Sequence, residues 1–283
     1  MTKTALLAAL AAAAALAAAP AARAQDADHF SWHGALAQGK TLEISGISGS
    51  IRVEAYAGPE VQVTATKRGP ADDRAEIRIL QEQDDDGVTI CAVYGSRGSC
   101  HRGSNNSHVR DNEASVDFVA RVPAGVAFDG SMVSGNVEVT GLAARVEVNS
   151  VSGDVAVRNV RGNVSAHSVS GRATLDGVDG REVDANTVSG AIEFGGPVHQ
   201  GGRYAFRSVS GELTLHVDGA LNARVSVSTV SGEIDSDFPI TLAGGGRFGR
   251  RNLDFTVGTG DARLELGTVS GDFHLKRAGA AGR

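Results

Sequence analysis

The sequence predicts an all-β fold, a single-chain parallel β-solenoid of about a dozen coils with roughly 18–21 residues in each coil. Three observations lead to this prediction: a tripeptide that recurs at a near-constant interval, apolar residues that alternate with polar ones on both sides of it, and 37 glycines in 283 residues. A recurring unit of this length is typical of solenoids, in which one coil stacks on the next. The glycine content favours corners over helices, so we expect little helix.

The recurring tripeptide is Val-Ser-Gly. It occurs seven times, and Ile47-Ser48-Gly49 is an eighth copy that carries one extra methylene. From the second copy onward, successive glycines are 18, 18, 19, 21, 21 and 39 residues apart. The last interval is close to two periods, which predicts a coil near residues 244–254 that has lost the tripeptide. We expect the glycines of all eight copies to be structural corners: Gly49, Gly135, Gly153, Gly171, Gly190, Gly211, Gly232 and Gly271.

Alignment of the copies on their glycine separates two strands in each coil. Apolar residues stand seven and five positions before the glycine, as at Val146 and Val148, and two and four positions after it, as at Val155 and Val157. We expect the small hydroxylated residue three positions before the glycine and the valine two positions before it to face inward as well, which places the corner between these two. Glycine allows a close approach at such a corner, and the hydroxyls can bond along the stack. A catalytic serine is not indicated, because no histidine accompanies the repeat at a fixed distance.

The connection that closes each coil carries all of the length variation. The step is 7 residues from Val139 to Val146 and 10 residues from Leu215 to Val225. Solenoid insertions lie on one face, which is often the binding face. The alternative is a set of ordinary tolerated loops. The candidate binding edge formed by connections 176–182, 195–203 and 216–224 contains Asp176, Asp179, Arg181, His199, Gln200, Arg203, His216 and Asp218.

The same connections hold regularly placed apolar residues. These predict a third inward column on each coil, made of Leu142, Val160, Val178 and Val198.

The chain divides into four segments. Residues 1–24 are predicted to be a signal peptide, because Lys3 precedes an alanine-rich run and Ala22-Arg23-Ala24 fits a cleavage site. A membrane anchor is the alternative for that run, and no other stretch is long and apolar enough to span a membrane, so the mature chain is expected to have no transmembrane span. Residues 25–131 are expected to form degenerate β-coils with polar insertions at 72–74, 84–86 and 96–112, residues 132–277 the regular solenoid, and residues 278–283 a disordered tail.

Net charge and cysteine content limit which partners and which metal sites the sequence allows. Without Lys3 and Arg23 the chain has 25 basic and 33 acidic residues, a net charge of −8, which disfavours nucleic acid or an anionic membrane as the main partner. In an exported chain, Cys91 and Cys100 are expected to form a disulfide. The alternative is a metal site that combines them with His101 and His108.

No catalytic, cofactor-binding or metal-binding residues are predicted. Acidic residues directly after the corner glycines, such as Asp154 and Glu212, could line a face for Ca²⁺, but Arg172 and Ala191 interrupt the row. The three aspartates at 84–86 do not have the spacing of a calcium loop, so a polar hairpin turn is expected there.

The repeat and its flanks resemble a known bacterial family. The Val-Ser-Gly array, "GVTICAVYG" at 87–95, "VDFVARVPAGVAFD" at 116–129 and "FTVGTGDARLELGTVSGDFHLKR" at 255–277 are similar to the "putative adhesin" family of β-strand-repeat domains of unknown function. The resemblance implies an exported β-solenoid associated with the cell envelope. It implies no catalytic residues.

These observations lead to three hypotheses for function. The first is an exported, non-enzymatic, adhesin-like solenoid of the periplasm, outer envelope or extracellular space, which presents an elongated surface to an unidentified envelope protein or glycan. The second is a polysaccharide-active enzyme, a lyase or glycosidase, built on a β-helix. The third is a structural or stress-linked periplasmic protein without a specific ligand.

Overall fold

The fold is known from a computed structural model, which describes residues 27–109, 111–239, 241–242 and 251–279. The predicted signal peptide at 1–24 and residues 280–283 of the predicted tail lie outside the described residues. Within the described ranges, no helix is long and apolar enough to cross a membrane.

The regular structure of the described chain is β-strand apart from one short helix, α1 (Ala71–Ala75). The strands of the first half and of the first regular coil are β1 (His29–Gly34), β2 (Thr41–Tyr56), β3 (Val61–Arg68), β4 (Ile77–Asp84), β5 (Gly87–Tyr94), β6 (Ser99–His101), β7 (Ser104–Asn106), β8 (Ser115–Pro123) and β9 (Ala127–Thr140).

The strands of the second half follow in pairs, one on each side of a corner. They are β10 (Val146–Ser152), β11 (Val155–Arg158), β12 (Val164–Ser170), β13 (Ala173–Asp176), β14 (Glu182–Ser189), β15 (Ile192–Pro197), β16 (Arg203–Ser210), β17 (Leu213–Asp218), β18 (Ala223–Thr229), β19 (Ile234–Ser236), β20 (Thr241–Leu242), β21 (Arg251–Val257), β22 (Ala262–Ser270) and β23 (Phe273–Arg277).

Parallel pairing stacks these strands into a solenoid, which confirms the predicted fold class. The pairings give nine layers within the described residues, in the spatial order β5 with β8, β2, β9, β10 with β11, β12 with β13, β14 with β15, β16 with β17, β22 with β23, and β18 with β19.

The prediction of about a dozen coils is too high, because antiparallel strands occupy both ends of the stack. At one end β3 pairs with β8, β1 with β3, and β4 with β5. At the other end β21 pairs with β18, and β20 with β21. Such strands cover the open edges of the parallel stack, which would otherwise expose unpaired backbone groups.

The order of the layers departs from the order of the sequence at two places. Strand β2 lies between the β5–β8 layer and β9. The last coil, β22 with β23, is inserted between β16–β17 and β18–β19. The coil without the tripeptide that the sequence predicts near residues 244–254 lies largely outside the described residues, which omit 243–250. From residue 251 onward the described chain is the antiparallel strand β21, which pairs with β18.

The inward columns match the alternation in the sequence except at the valine of the tripeptide. The columns seven and five positions before the glycine, and those two and four after it, are largely buried, as is the third column at Leu142, Val160 and Val178. The tripeptide valines, predicted to face inward, are instead 43% to 69% exposed. The strand keeps its alternation through the valine, so that side chain points outward, and the chain turns only at the following Ser-Gly.

Adjacent layers approach each other closely at the corner. An added Cβ on Gly153 would overlap the carbonyl oxygen of Gly135, and one on Gly171 would overlap that of Gly153. In the same way, a Cβ on Gly190 would overlap the carbonyl oxygen of Gly171, and one on Gly211 that of Gly190. Close approach of the backbones, rather than a left-handed φ, excludes a side chain at these four corners.

The buried hydroxyls three positions before each glycine bond to the same carbonyls. Ser150 Oγ donates to the Gly135 carbonyl at 2.9 Å, and Ser168 Oγ donates to that of Gly153 at 3.0 Å. Thr187 Oγ1 donates to the Gly190 carbonyl at 2.8 Å. Two members of the column differ: Thr268 Oγ1 donates to the Val209 carbonyl at 3.5 Å, and Thr229 Oγ1 is buried and has no hydrogen-bond partner among the described residues.

The irregular first half contains two features that the sequence placed only as polar insertions. Residues 72–74 lie in α1, and residues 99–106 form the β6–β7 hairpin. A disulfide between Cys91 and Cys100 ties this hairpin to β5, with a Cα–Cα distance of 5.8 Å. Both thiols are therefore consumed and cannot serve as metal ligands together with His101 and His108.

We predict that Gly171→Ala lowers the free energy of unfolding by at least about 2 kcal/mol, because the methyl group has no room between the layers. Chemical denaturation would measure the change. Gly267→Ala is the matched control, since its Cβ would meet only the Arg207 side chain at 3.6 Å. Equal stability of the two variants would contradict the close-approach argument.

We also predict opposite effects of two identical substitutions in the hydroxyl column. Thr229→Val should stabilise the fold by about 1 kcal/mol, because it removes an unsatisfied buried hydroxyl, whereas Thr187→Val should destabilise it by about 1 kcal/mol. Thermal melting of the two variants beside the parent protein checks the sign, and a loss of stability in Thr229→Val would be the wrong result.

Candidate functional site

Five of the eight residues predicted at the binding edge come together. His199 Nε2 lies 2.5 Å from Asp179 Oδ1, and Arg181 Nη1 donates to the Gln200 carbonyl at 3.2 Å. Gln200 Nε2 in turn donates to Asp261 Oδ2 at 3.2 Å. Asp261 lines a surface groove together with Arg203 and Arg181.

The connection that carries His199 is fixed to the core by one tyrosine. Tyr204 is buried, as its position in the inward column predicts. Its hydroxyl donates to the Gly180 carbonyl at 2.8 Å and accepts the backbone N–H of His199 at 2.8 Å. Burial raises the pKa of this hydroxyl, which therefore stays a neutral donor. The edge is thus a held loop rather than a loose one.

The other three predicted edge residues lie elsewhere. Asp176 and His216 stand on β13 and β17, with Gly195 of β15 between them in the register. Asp218 is at the end of β17, opposite Pro197. These positions lie at the strand ends where the connections begin, and they are not among the residues that line the groove with Arg203.

The groove itself is dominated by arginine. It has a volume of about 590 Å³ and is lined by four arginines and two carboxylates, together with Asn163, Ala262 and glycines. Three of the arginines occupy the same register position on adjacent strands: Arg203 is opposite Arg263, and Arg263 is opposite Arg224. We call Arg203, Arg263 and Arg224 the arginine row.

A second surface is formed by the outward valines of the tripeptide. In spatial order this valine stripe consists of Val133, Val151, Val169, Val188, Val209, Val269 and Val230.

The stripe is continuous because the corner holds every layer in the same register. With strands about 4.8 Å apart, seven valines extend over roughly 29 Å. A groove of about 450 Å³ runs beside its first part, lined by valines of the stripe and by Asn149, His167 and Asn186. A continuous row of half-exposed valines is an apolar patch of the kind that marks interaction surfaces.

A third cluster is an acidic column six positions before the glycine. Glu43 is opposite Asp129, and Asp129 is opposite Glu147. Glu43 is buried and accepts the backbone N–H of Gly103 at 2.8 Å. Burial, followed by repulsion from Glu147 and Glu43, raises the pKa of Asp129 to about 6. The column borders a cavity of about 510 Å³, which is also lined by Lys40, Arg102 and Arg145.

The aspartates at 84–86 form the turn between β4 and β5, as the sequence predicts. Asp84 Oδ1 accepts the backbone N–H groups of Asp86 and Gly87 at 2.9 Å each. Arg102 donates to the same carboxylate at 2.7 Å and 3.0 Å, and this contact lowers the pKa of Asp84 to about 2. Its oxygens are therefore occupied by donors. In the described part of the chain, no three His, Cys, Asp or Glu side chains are arranged to hold a metal ion.

Alignment on the glycine could have located two of these features. The acidic column occupies one position of the repeat, six residues before the glycine, so the alignment alone places Glu43, Asp129 and Glu147 in one column. The valines of the stripe were predicted to face inward, and in the structure they face outward. The arginine row could not be read from sequence order, because Arg263 reaches its neighbours only through the inserted last coil.

Comparisons with known proteins identify a family-level match. A family model described as Toastrack DUF4097 matches residues 125–276. No curated protein matches the chain. Among the solved structures that match the chain are three with TM-scores below 0.5.

Each of the three is a distant likeness that covers most of both chains. A "putative adhesin" from Bacteroides fragilis is 13% identical, covering 87% of this chain and 97% of its own, with a TM-score of 0.42. A "putative cell adhesion protein" from Clostridium sporogenes is 9% identical, covering 88% and 99%, with a TM-score of 0.35. A "putative adhesin" from Parabacteroides distasonis is 14% identical, covering 88% and 98%, with a TM-score of 0.35.

The raised pKa of Asp129 leads to a prediction for stability against pH. The folded state favours the neutral carboxyl, so this stabilisation is present below the unfolded pKa of 3.8 and is lost as the pH rises through about 6. We expect Asp129→Asn to raise the free energy of unfolding at pH 7 by on the order of 1–2 kcal/mol, after allowance for solvent screening. The gain should vanish near pH 4.

Thermal melting from pH 4 to pH 7.5 would measure this effect. Asp218→Asn, a change of the same kind at an exposed position, should leave the pH profile unchanged. A profile for Asp129→Asn that runs parallel to that of the parent protein would show that Asp129 is not buried against its acidic neighbours.

Proposed function

This chain belongs to the Toastrack DUF4097 family, and from that premise we propose that it is a non-enzymatic, adhesin-like binding protein of the cell envelope, which presents an elongated apolar surface to a protein partner. Membership agrees with the resemblance read from the Val-Ser-Gly repeat. The proposal itself rests on the surface of this chain.

The valine stripe is the observation that supports the proposal. Water-exposed valine is unfavourable by an amount that grows with apolar area, and a partner that covers the whole stripe recovers that free energy. A straight stripe of roughly 29 Å suits an elongated protein element better than a small ligand. The exposed serines that follow each valine supply a polar rim along one side.

Export to the envelope is the second part of the proposal. It is supported by the predicted signal peptide at 1–24 and by the pairing of Cys91 with Cys100, since disulfides persist in oxidising compartments. The acidic net charge agrees with a partner other than nucleic acid.

Site-specific photo-crosslinking in producing cells tests the partner surface. A photo-reactive residue at Val151, Val169 or Val188 should give one shared crosslinked protein band, and Val119, which is 44% exposed on β8 outside the stripe, is the matched control. We expect a triple variant, Val151→Ser, Val169→Ser and Val188→Ser, to melt like the parent protein and to reduce capture of that partner at least about tenfold. No band from the stripe, or the same band from Val119, would contradict the proposal and favour a purely structural role.

A polysaccharide-active enzyme remains the second candidate, favoured by the acidic column. Asp129, with its pKa raised to about 6, stands opposite Glu43, and a carboxyl group of raised pKa beside a carboxylate is the pairing that glycoside hydrolysis uses. Release of reducing ends from envelope polysaccharides, present in the parent protein and absent in Glu43→Gln, would establish that function in place of binding. We expect no release from either protein.

A further inference from the structure

We propose that the arginine row is a binding site for a small ligand that carries two phosphate groups, such as a bisphosphorylated sugar. This site is separate from the valine stripe, and the proposal does not depend on the partner proposed above. It is carried by the arrangement of charge in the groove beside the His199 connection.

The first step is the geometry of the row. The strand register places Arg203, Arg263 and Arg224 at opposite positions on three adjacent parallel strands. Neighbouring backbones in this row are therefore about 4.8 Å apart. Three like charges at directly opposite positions repel one another, and each repulsion opposes folding. The insertion of the last coil between β16 and β18 creates this arrangement.

The second step is the lack of internal compensation. Among the described residues, Arg203, Arg224 and Arg181 have no carboxylate oxygen within 4.0 Å. Arg263 lies 3.9 Å from Glu265, but that carboxylate is held at 2.8 Å by Arg207.

The two carboxylates that line the groove are also engaged by other groups. Glu182 accepts from the Asn163 amide at 3.3 Å, and Asp261 accepts from the Thr259 hydroxyl at 2.6 Å and from Gln200. Four arginines against two acids leave the groove with a net positive charge, in a chain whose formal net charge is −6.

The third step is the stiffness of the wall. The Tyr204 hydroxyl holds the His199 connection, and backbone bonds fix the strand starts, since Arg203 N–H donates to the Arg181 carbonyl at 2.8 Å and Arg263 N–H to the Gly202 carbonyl at 2.9 Å. A site held in this way loses little conformational entropy when a ligand binds.

The fourth step is the choice of ligand. Guanidinium groups bind phosphate through paired N–H···O bonds, and a phosphate placed between two neighbouring arginines can accept from both. A row of three such groups spans roughly 10 Å, which matches two phosphates on one small scaffold. Among the described residues, the lining contains no aromatic side chain for stacking, so recognition depends on the phosphates.

Thermal shift and calorimetric titration with the full mature protein test the site. The probes are tripolyphosphate, glucose 1,6-bisphosphate and, as a non-phosphate anion, citrate. We expect both phosphate probes to raise the melting temperature and to bind at least about tenfold more tightly than citrate, with affinity that falls as salt is added. A stronger effect of the sugar bisphosphate would identify a phosphorylated saccharide, and a stronger effect of tripolyphosphate an inorganic polyphosphate.

The decisive variant is Arg203→Gln with Arg263→Gln. Without ligand it should melt at a higher temperature than the parent protein, because the repulsion is gone, and it should lose the phosphate-induced shift. Arg172→Gln, an exposed arginine outside the groove, should keep that shift. If the double variant does not fold, Arg224→Gln provides the same comparison with one charge removed.

Three results would overturn the proposal. One is the absence of any shift in the parent protein at millimolar phosphate probe, and another is an undiminished shift in the arginine variants. The third is binding only to vesicles of phosphatidylglycerol, lost in the double variant, which would make the row a membrane contact instead.

Discussion

The contact between stacked glycines at the corner sets the geometry of the whole molecule. Each corner carbonyl faces the Cα of the next glycine, and at several layers it also accepts the buried hydroxyl of a neighbouring coil. Neither contact tolerates a shift along the strand, because a slip of one residue would bring a Cβ against the carbonyl and turn apolar side chains outward. The corner therefore holds all layers in one register, while the connections on the opposite side vary in length.

The valine stripe, the acidic column and the arginine row all follow from this shared register. With every layer in one register, any position of the repeat becomes a straight column, and its chemistry is the sum of the residues that occupy it. Valine two positions before the glycine gives an apolar stripe, glutamate and aspartate six positions before give the acidic column, and arginine eight positions before gives the arginine row. Like charges directly opposite one another oppose folding, and both the acidic column and the arginine row place three of them in succession.

The repeat made the fold class predictable, because its period, its alternation and its glycines all have a direct structural reason. The order of the layers was not predictable in the same way. The eight copies are nearly equivalent, so the sequence does not indicate that the coil of Gly271 lies between those of Gly211 and Gly232. The outward valine was misassigned for a related reason: a change of parity shows that a corner exists, but it does not specify at which of several successive residues the chain turns. Two residues of the predicted binding edge, Arg181 and Arg203, line a groove to which Arg263 also belongs, and only the inserted coil brings Arg263 alongside them.

Native-state hydrogen exchange at the corner glycines would test the central claim most directly. The backbone N–H groups of Gly153, Gly190, Gly211 and Gly271 donate to serine carbonyls of the neighbouring layer at 3.1 to 3.2 Å. If the corner contact fixes the register of the layers, these amides should exchange as slowly as those of the buried strands. The amides of Gly201 and Gly219, in the variable connections, should exchange faster. Rapid exchange at the corner, with protection confined to the strands, would show that the layers are held by their hydrophobic core alone and would contradict the account.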